Sequence, residues 1–200
     1  MVKKVVLNAD GSVPGSWYDE EYWERGAESG KLSYNGNEYR NNLDACKMWA
    51  SDTYDRWGPF KSYLELGCGR GWSIWGMMYL PELRIERFLG VDISQYAIDT
   101  AVDQVRPFLK VGDISKINEL VSHQHWDLIF SNDVLEHLTF SQAQSCLRRS
   151  RDLGIRVVNL ISIGDGANRP DGDVPADQDQ SHILLKSKDW WVALFQSVFS

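Results

Sequence analysis

From about residue 61 onward, short apolar runs alternate with turns that carry glycines or acids. "SYLEL", "ERFLGVD", "FLKV", "WDLIFS" and "IRVVNLISI" read as five strands. The near-continuous apolar character of "WDLIFS" belongs to a parallel interior strand, buried on both faces. Helical stretches separate the strands. One follows the glycine turn at 67–71 and must stop before Pro81, and "QYAIDTAVDQV" starts from Ser94 as N-cap and closes at Pro107. "DISKINELVS" is a short helix, and "SQAQSCLRRSRDLG" carries arginines in its last turns with Gly154 as C-cap, which suits the helix dipole. Strand and helix in alternation predict an α/β fold with a doubly wound, mostly parallel sheet.

Ahead of this region, "KKVVLNADGS" reads as a strand and turn, and residues 42–57 form a helix ended by Gly58-Pro59. Between them lies an aperiodic segment rich in aromatics (Trp17, Tyr18, Tyr22, Trp23, Tyr34, Tyr39), read as packing within a cap or as a pocket cover. Residues 1–60 are therefore expected to be a cap segment and helix, with 61–200 the main domain of a single globular unit. "GDGANRPDGDVPADQDQS" (164–181) is a long irregular loop with five aspartates, read as a solvated lid; it lacks the order of a calcium-binding loop. A last amphipathic helix begins near Ser187.

Composition narrows the partners. Net charge is −7 over 200 residues, which argues against nucleic acid bound through a broad basic surface. The three cysteines, Cys46, Cys68 and Cys146, give neither a disulfide framework nor a zinc pattern and suit the reducing cytoplasm. No apolar run reaches membrane-spanning length, and "MVKKVVLNADG" is too short in apolar residues for a signal peptide.

The chemistry sits at the strand tips. The first strand ends in Glu65 and the loop Gly67-x-Gly69-x-Gly71, the second in Asp92, the third in Gly112-Asp113 and the fourth in Ser131-Asn132-Asp133. In an open parallel sheet, ligands bind beyond these carboxyl ends, so four polar tips in sequence order predict a cofactor site. A dinucleotide fingerprint would need glycine where Trp72 stands, and a diphosphate would meet Glu65, Asp92 and Asp113. An acidic, glycine-lined cleft suits a cation instead.

"LELGCGRG", "GVDIS", "VGDI" and "WDLIFSNDVLEHL" resemble, in order and spacing, the four motifs of the class I S-adenosylmethionine-dependent methyltransferases, from about Tyr63 to Leu138. The resemblance implies a Rossmann-like sheet of order 3-2-1-4-5 and an enzyme with S-adenosyl-L-methionine as cofactor. It implies Gly67, Cys68, Gly69 and Gly71 beside the methionine part with Glu65, Asp92 on the ribose, and Ile93 and Ile114 about the adenine. Asp113 would meet the adenine amino group, and Ser131 and Asn132 would floor the site below the sulfonium. Asp113 taken alone equally reads as a helix cap.

The acceptor is expected to be a small or medium polar molecule, methylated at oxygen, with His182 the first candidate base and His137 the second. His123 and His125 read as surface residues. Alternatives remain open: a regulatory domain that binds the cofactor without turnover, or a metal-assisted RNA 2′-O-methyltransferase using Asp133, Glu136, His137 and His182. Relatives continue with an antiparallel hairpin where this chain stops. A short form, or cover of the fifth strand's edge by "KKVVLN" or by a partner, would follow, and an open edge predicts self-association.

Overall fold

A computed structural model describes residues 2–34, 36–121, 125–163 and 179–200. Five strands, β1 (Ser62–Leu66), β2 (Arg87–Asp92), β3 (Leu109–Val111), β4 (Trp126–Asn132) and β5 (Gly154–Leu160), form one sheet of order β3-β2-β1-β4-β5. Every pairing is parallel, as the apolar runs predicted.

Alternation along the central strands feeds both faces. Leu64, Leu66, Val91 and Ile129 meet Leu147 of helix α6 (Phe140–Leu153) and Trp191 and Leu194 of helix α7 (Lys188–Phe199). Tyr63, Leu128 and Phe130 point the other way, against Ala50 of helix α2 (Leu43–Trp57) and Ile74 and Met77 of helix α3 (Trp72–Met78). Helix ends obey local chemistry. Asn42, Ser94, Thr139 and Ser187 each cap a helix N-terminus through the side chain, and Thr139 with Gln142 completes a capping box.

Gly76 lets α2 and α3 approach closely. A Cβ there would stand 2.1 Å from the Cys46 carbonyl oxygen, and backbone cannot step aside as a side chain can. Gly76→Ala is expected to lower stability by ~1–3 kcal/mol, the usual cost of overpacking. Urea unfolding of the variant checks this, and an unchanged midpoint would contradict the close packing.

Two expectations need correction. "KKVVLN" forms no strand: Lys3 N–H donates to the Gly30 carbonyl, and Val5 packs on Val13, Trp17 and Tyr22. It therefore belongs to the cap and leaves β5 paired with β4 alone among the described residues. Helix α4 (Gln95–Asp99) ends well before Pro107, with Thr100 as its C-cap and the Thr100 hydroxyl bonded back to the Tyr96 carbonyl. Gly154 does close α6, but with extended backbone, so β5 begins at once. The remaining helices are α1 (Glu20–Arg25) and α5 (Ile117–Leu120), the latter extending a 3₁₀ turn. All three cysteines are buried free thiols. Among the described residues no helix is long and apolar enough to cross a membrane. The aspartate-rich loop lies outside the described residues except for 179–181, as does His123.

Candidate active site

Two adjoining cavities open at the carboxyl end of the sheet. The larger, about 460 Å³, is lined by Glu65, Gly67, Cys68, Gly69 and Asn132, by both His137 and His182, and by a wall of aromatic side chains. The smaller, about 110 Å³, is lined by Gly67, Asp92, Ile93, Asp113 and Ile114. Gly67 and His137 belong to both, so the two are compartments of one cleft. The strand tips thus gather most of the residues singled out in the sequence. Gly71 and Ser131 are not on either wall. Gly71 caps α3 with left-handed backbone and faces Leu109 and Val105, while the buried Ser131 donates to Asn159 Oδ1 over 2.5 Å.

The glycine loop is shaped by its backbone. Gly67, Gly69 and Gly71 all have φ between 52° and 70°, the left-handed region that costs other residues ~1–2 kcal/mol. Asp92 holds the loop from below, accepting from Gly69 N–H at 2.7 Å and from Ser94 N–H at 2.8 Å. A carboxylate has about four acceptor positions, so each oxygen keeps one for a ligand hydroxyl. Asp113 accepts from Ser115 N–H at 2.8 Å, so its capping role is real, and it also faces the smaller cavity.

Glu65 is the most informative group. It is 8% exposed, its Oε2 has no hydrogen-bond partner, and burial reinforced by Asp92 pushes its carboxyl up to about 8. A buried carboxylate is costly unless a positive or donating group meets it. The glycine cradle and this unmet acid fit a ligand that brings an ammonium and no phosphate.

The aromatic segment, which the sequence offers as cap packing or as a pocket cover, lines the cleft with Tyr22, Trp23, Tyr34 and Tyr39. Trp23 of α1 lies against the glycine loop, where a Cβ on Gly69 would be 2.8 Å from its ring, and its indole N–H donates to Ser94 Oγ at 3.0 Å. Arg70, 3% exposed, pairs with Glu24 of the same helix, which also accepts from Tyr96 Oη at 3.0 Å. Nothing in the sequence marked Arg70 and Glu24 as partners 46 residues apart.

The two histidines sit together, ring centroids 4.5 Å apart and edge-on. Burial first, then His182, pushes the His137 imidazole down to about 4, against the pull of Asp179 and Asp133. Of the carboxylates nearby, Asp133 is engaged and Glu136 only in part, its Oε2 meeting no hydrogen-bond partner among the described residues. Asp133 accepts from Ser162 Oγ at 2.7 Å and Asn132 Nδ2 at 3.1 Å, and the buried Glu136 accepts from Ser162 N–H at 2.8 Å. Among the described residues no group of three or more His, Cys, Asp or Glu is arranged to hold a metal ion. His125 is exposed before β4, away from the cleft.

Fold and cleft together define a doubly wound α/β domain with an acidic, glycine-lined cleft at its strand tips. Residues 64–153, from β1 to the end of α6, match the family model described as a methyltransferase domain. No curated protein matches the sequence. Solved structures share the fold at low identity. A SAM dependent methyltransferase from Archaeoglobus fulgidus aligns with TM-score 0.59 at 16% identity, over 81% of this chain and 71% of that one. The N-terminal domain of EvdMO1 with SAH bound aligns with TM-score 0.54 at 14% identity, over 76% and 70%. The plantazolicin methyltransferase BamL, in complex with a triazolic desmethylPZN analog and SAH, aligns with TM-score 0.50 at 19% identity, over 82% and 63%.

Proposed function

We propose that this protein transfers a methyl group from S-adenosylmethionine to a hydroxyl of a small or medium acceptor. The carrying observation is Glu65, a buried carboxylate with an unmet oxygen beside left-handed glycines. Two of the structural neighbours are described with SAH bound, which supports the same cofactor here. The bound cofactor supplies an activated methyl on a sulfonium. Glu65 would meet its ammonium, Asp92 its ribose hydroxyls, and Ile93 and Ile114 would flank its adenine, with Asp113 at the ring's edge. Asn132 would lie beneath the reacting centre.

The acceptor would occupy the rest of the larger cavity, where Tyr34, Tyr39, Trp49 and Trp72 offer a wall for a flat apolar body. His137 and His182 face the same space and supply the bases a hydroxyl needs. Methyl transfer is otherwise a matter of positioning, which supplies effective molarities of about 10⁵–10⁸ M.

Calorimetry with S-adenosylhomocysteine tests the cofactor half. Glu65, with its carboxyl near 8, is largely protonated at pH 7 before binding. An ammonium beside it favours the charged form, so binding should release up to about one proton to the buffer at pH 7, and less above pH 8. Titrations in buffers of different ionisation enthalpy read that number, and Glu65→Gln should remove it while weakening binding. No heat at millimolar ligand, or tighter binding of NAD, would overturn the assignment.

A further inference from the structure

At the wall of the larger cavity, which His137 and Asp179 line, three side chains stand in line: Asp179, Ser181 and His137. Asp179 and Ser181 are buried, at 6% and 0% exposure. The Ser181 hydroxyl donates to Asp179 Oδ1 over 2.6 Å, and the Ser181 N–H donates to the same oxygen over 2.9 Å. The Tyr22 hydroxyl donates to the other oxygen, Oδ2, at 3.3 Å. An ionised carboxylate only accepts, and a serine has one hydroxyl proton, already given to Asp179. Ser181 Oγ, 2.9 Å from His137 Nδ1, therefore offers the ring only a lone pair. The proton between them must sit on Nδ1.

The consequence falls on the other nitrogen. No described residue hydrogen-bonds His137 Nε2, and the ring lines both compartments of the cleft. We propose that Asp179 and Ser181 are positioning residues that hold His137 as the Nδ1–H tautomer, so that Nε2 presents its lone pair to the acceptor hydroxyl. The inference rests on the hydroxyl-methylation reading above and names its base. Nε2 takes the hydroxyl proton as the oxygen–carbon bond forms and the carbon–sulfur bond breaks. The sulfur keeps the bonding pair, so the positive charge passes from sulfur to the imidazolium. Asp179, through Ser181, then faces that charge, as orienting carboxylates do behind a catalytic histidine.

The surroundings agree with a base that starts neutral. His182 stands edge-on at 4.5 Å and Tyr18 at 5.9 Å, while Asp133 and Asp179 are the carboxylates that face the ring. Burial and His182 outweigh those two acids, so the ring carries no charge until it accepts the proton.

Long-range ¹H–¹⁵N spectra of histidine-labelled protein, free of ligand, test the arrangement without any turnover. Wild type is expected to show His137 almost wholly as the Nδ1–H form. Ser181→Ala should reduce that form to a minority, because free imidazole prefers the Nε2–H tautomer, and Ser181→Thr, which keeps a hydroxyl, should restore it. If Ser181→Ala does not fold, Asp179→Asn serves. Its amide donates to Ser181 Oγ, freeing the hydroxyl to donate to Nδ1 and moving the ring proton to Nε2. A wild-type ring in the Nε2–H form, or either variant with the wild-type tautomer, overturns the proposal. Calorimetry of wild type with S-adenosylhomocysteine, run beside it, fails only if the methyltransferase reading itself is wrong, so the two failures are distinguishable.

Discussion

Gly67→Ala is expected to bind S-adenosylhomocysteine about 30- to 4,000-fold more weakly than wild type. Gly67 has φ +69°, and its N–H donates to the Val91 carbonyl at 2.7 Å, so the loop is tied to β2 in a left-handed conformation. A Cβ there would lie 2.3 Å from Val134 Cγ2 and 2.9 Å from Cγ1. Valine has little rotamer freedom with which to yield. The substituted loop relaxes by leaving the left-handed region, which swings its backbone into the cleft between the two compartments. Binding must then reverse that movement. The cost is ~1–2 kcal/mol of backbone strain plus ~1–3 kcal/mol of crowding at Val134, and each 1.4 kcal/mol is tenfold in affinity. Gly11→Ala is the control. It too has positive φ, at +81°, but its Cβ would meet nothing nearer than 3.8 Å and it lines neither cavity. It should lower stability and leave the dissociation constant within threefold. Equal affinities for Gly67→Ala and wild type would mean that the ligand does not pass over this loop.

The same loop shows what a sequence can and cannot disclose. Its glycines are legible because left-handed backbone leaves few other choices, and the acids at successive strand tips are legible because strands place their ends in one plane. The strands themselves stand out because β1, buried along its whole length, has no polar face to confuse the pattern. Elements stabilised from elsewhere are read less well. "KKVVLN" has the β-branched apolar run of a strand, yet Val6 is 81% exposed and Val5 is held by Trp17 and Tyr22 of the cap, a decision made by distant residues. The sequence pattern overextends helix α4 because its apolar positions, Ala101 and Val105 included, are buried in a turn as well as they would be in a helix.

The acceptor side hides for the same reason. "DQSH" showed a histidine, but the role of its aspartate and serine depends on His137, 44 residues away from Ser181. Likewise nothing local ties Arg70 to a partner, and only the fold brings Glu24 and the Tyr96 ring around it. Local rules settle which groups can react; tertiary packing settles which of them face each other.

His137→Phe, tested against a panel of phenolic and aliphatic hydroxyl compounds, is expected to lose about 10²–10⁴-fold in kcat, the usual contribution of a general base. Phenylalanine keeps a flat ring between Tyr18 and His182 but has no nitrogen to take the proton. The wild-type profile should carry a distinctive sign. The base form is the neutral ring, and with the imidazole held near 4, kcat stays level from pH 8 down to about pH 5 and falls only below that. His182→Phe removes the neighbouring charge that helps depress the ring. The acid limb should therefore move upward, toward the ordinary histidine range, while activity at pH 8 falls much less than in His137→Phe. The reverse ranking, with His182→Phe inactive and His137→Phe nearly intact, would transfer the role of base to His182 and leave His137 a packing residue. An acid limb that stays in place without His182 would show that burial alone sets the ring's basicity. A wild-type protein that methylates none of the panel, yet binds S-adenosylhomocysteine with proton release, would point away from hydroxyl acceptors and toward a nucleophile that needs no base.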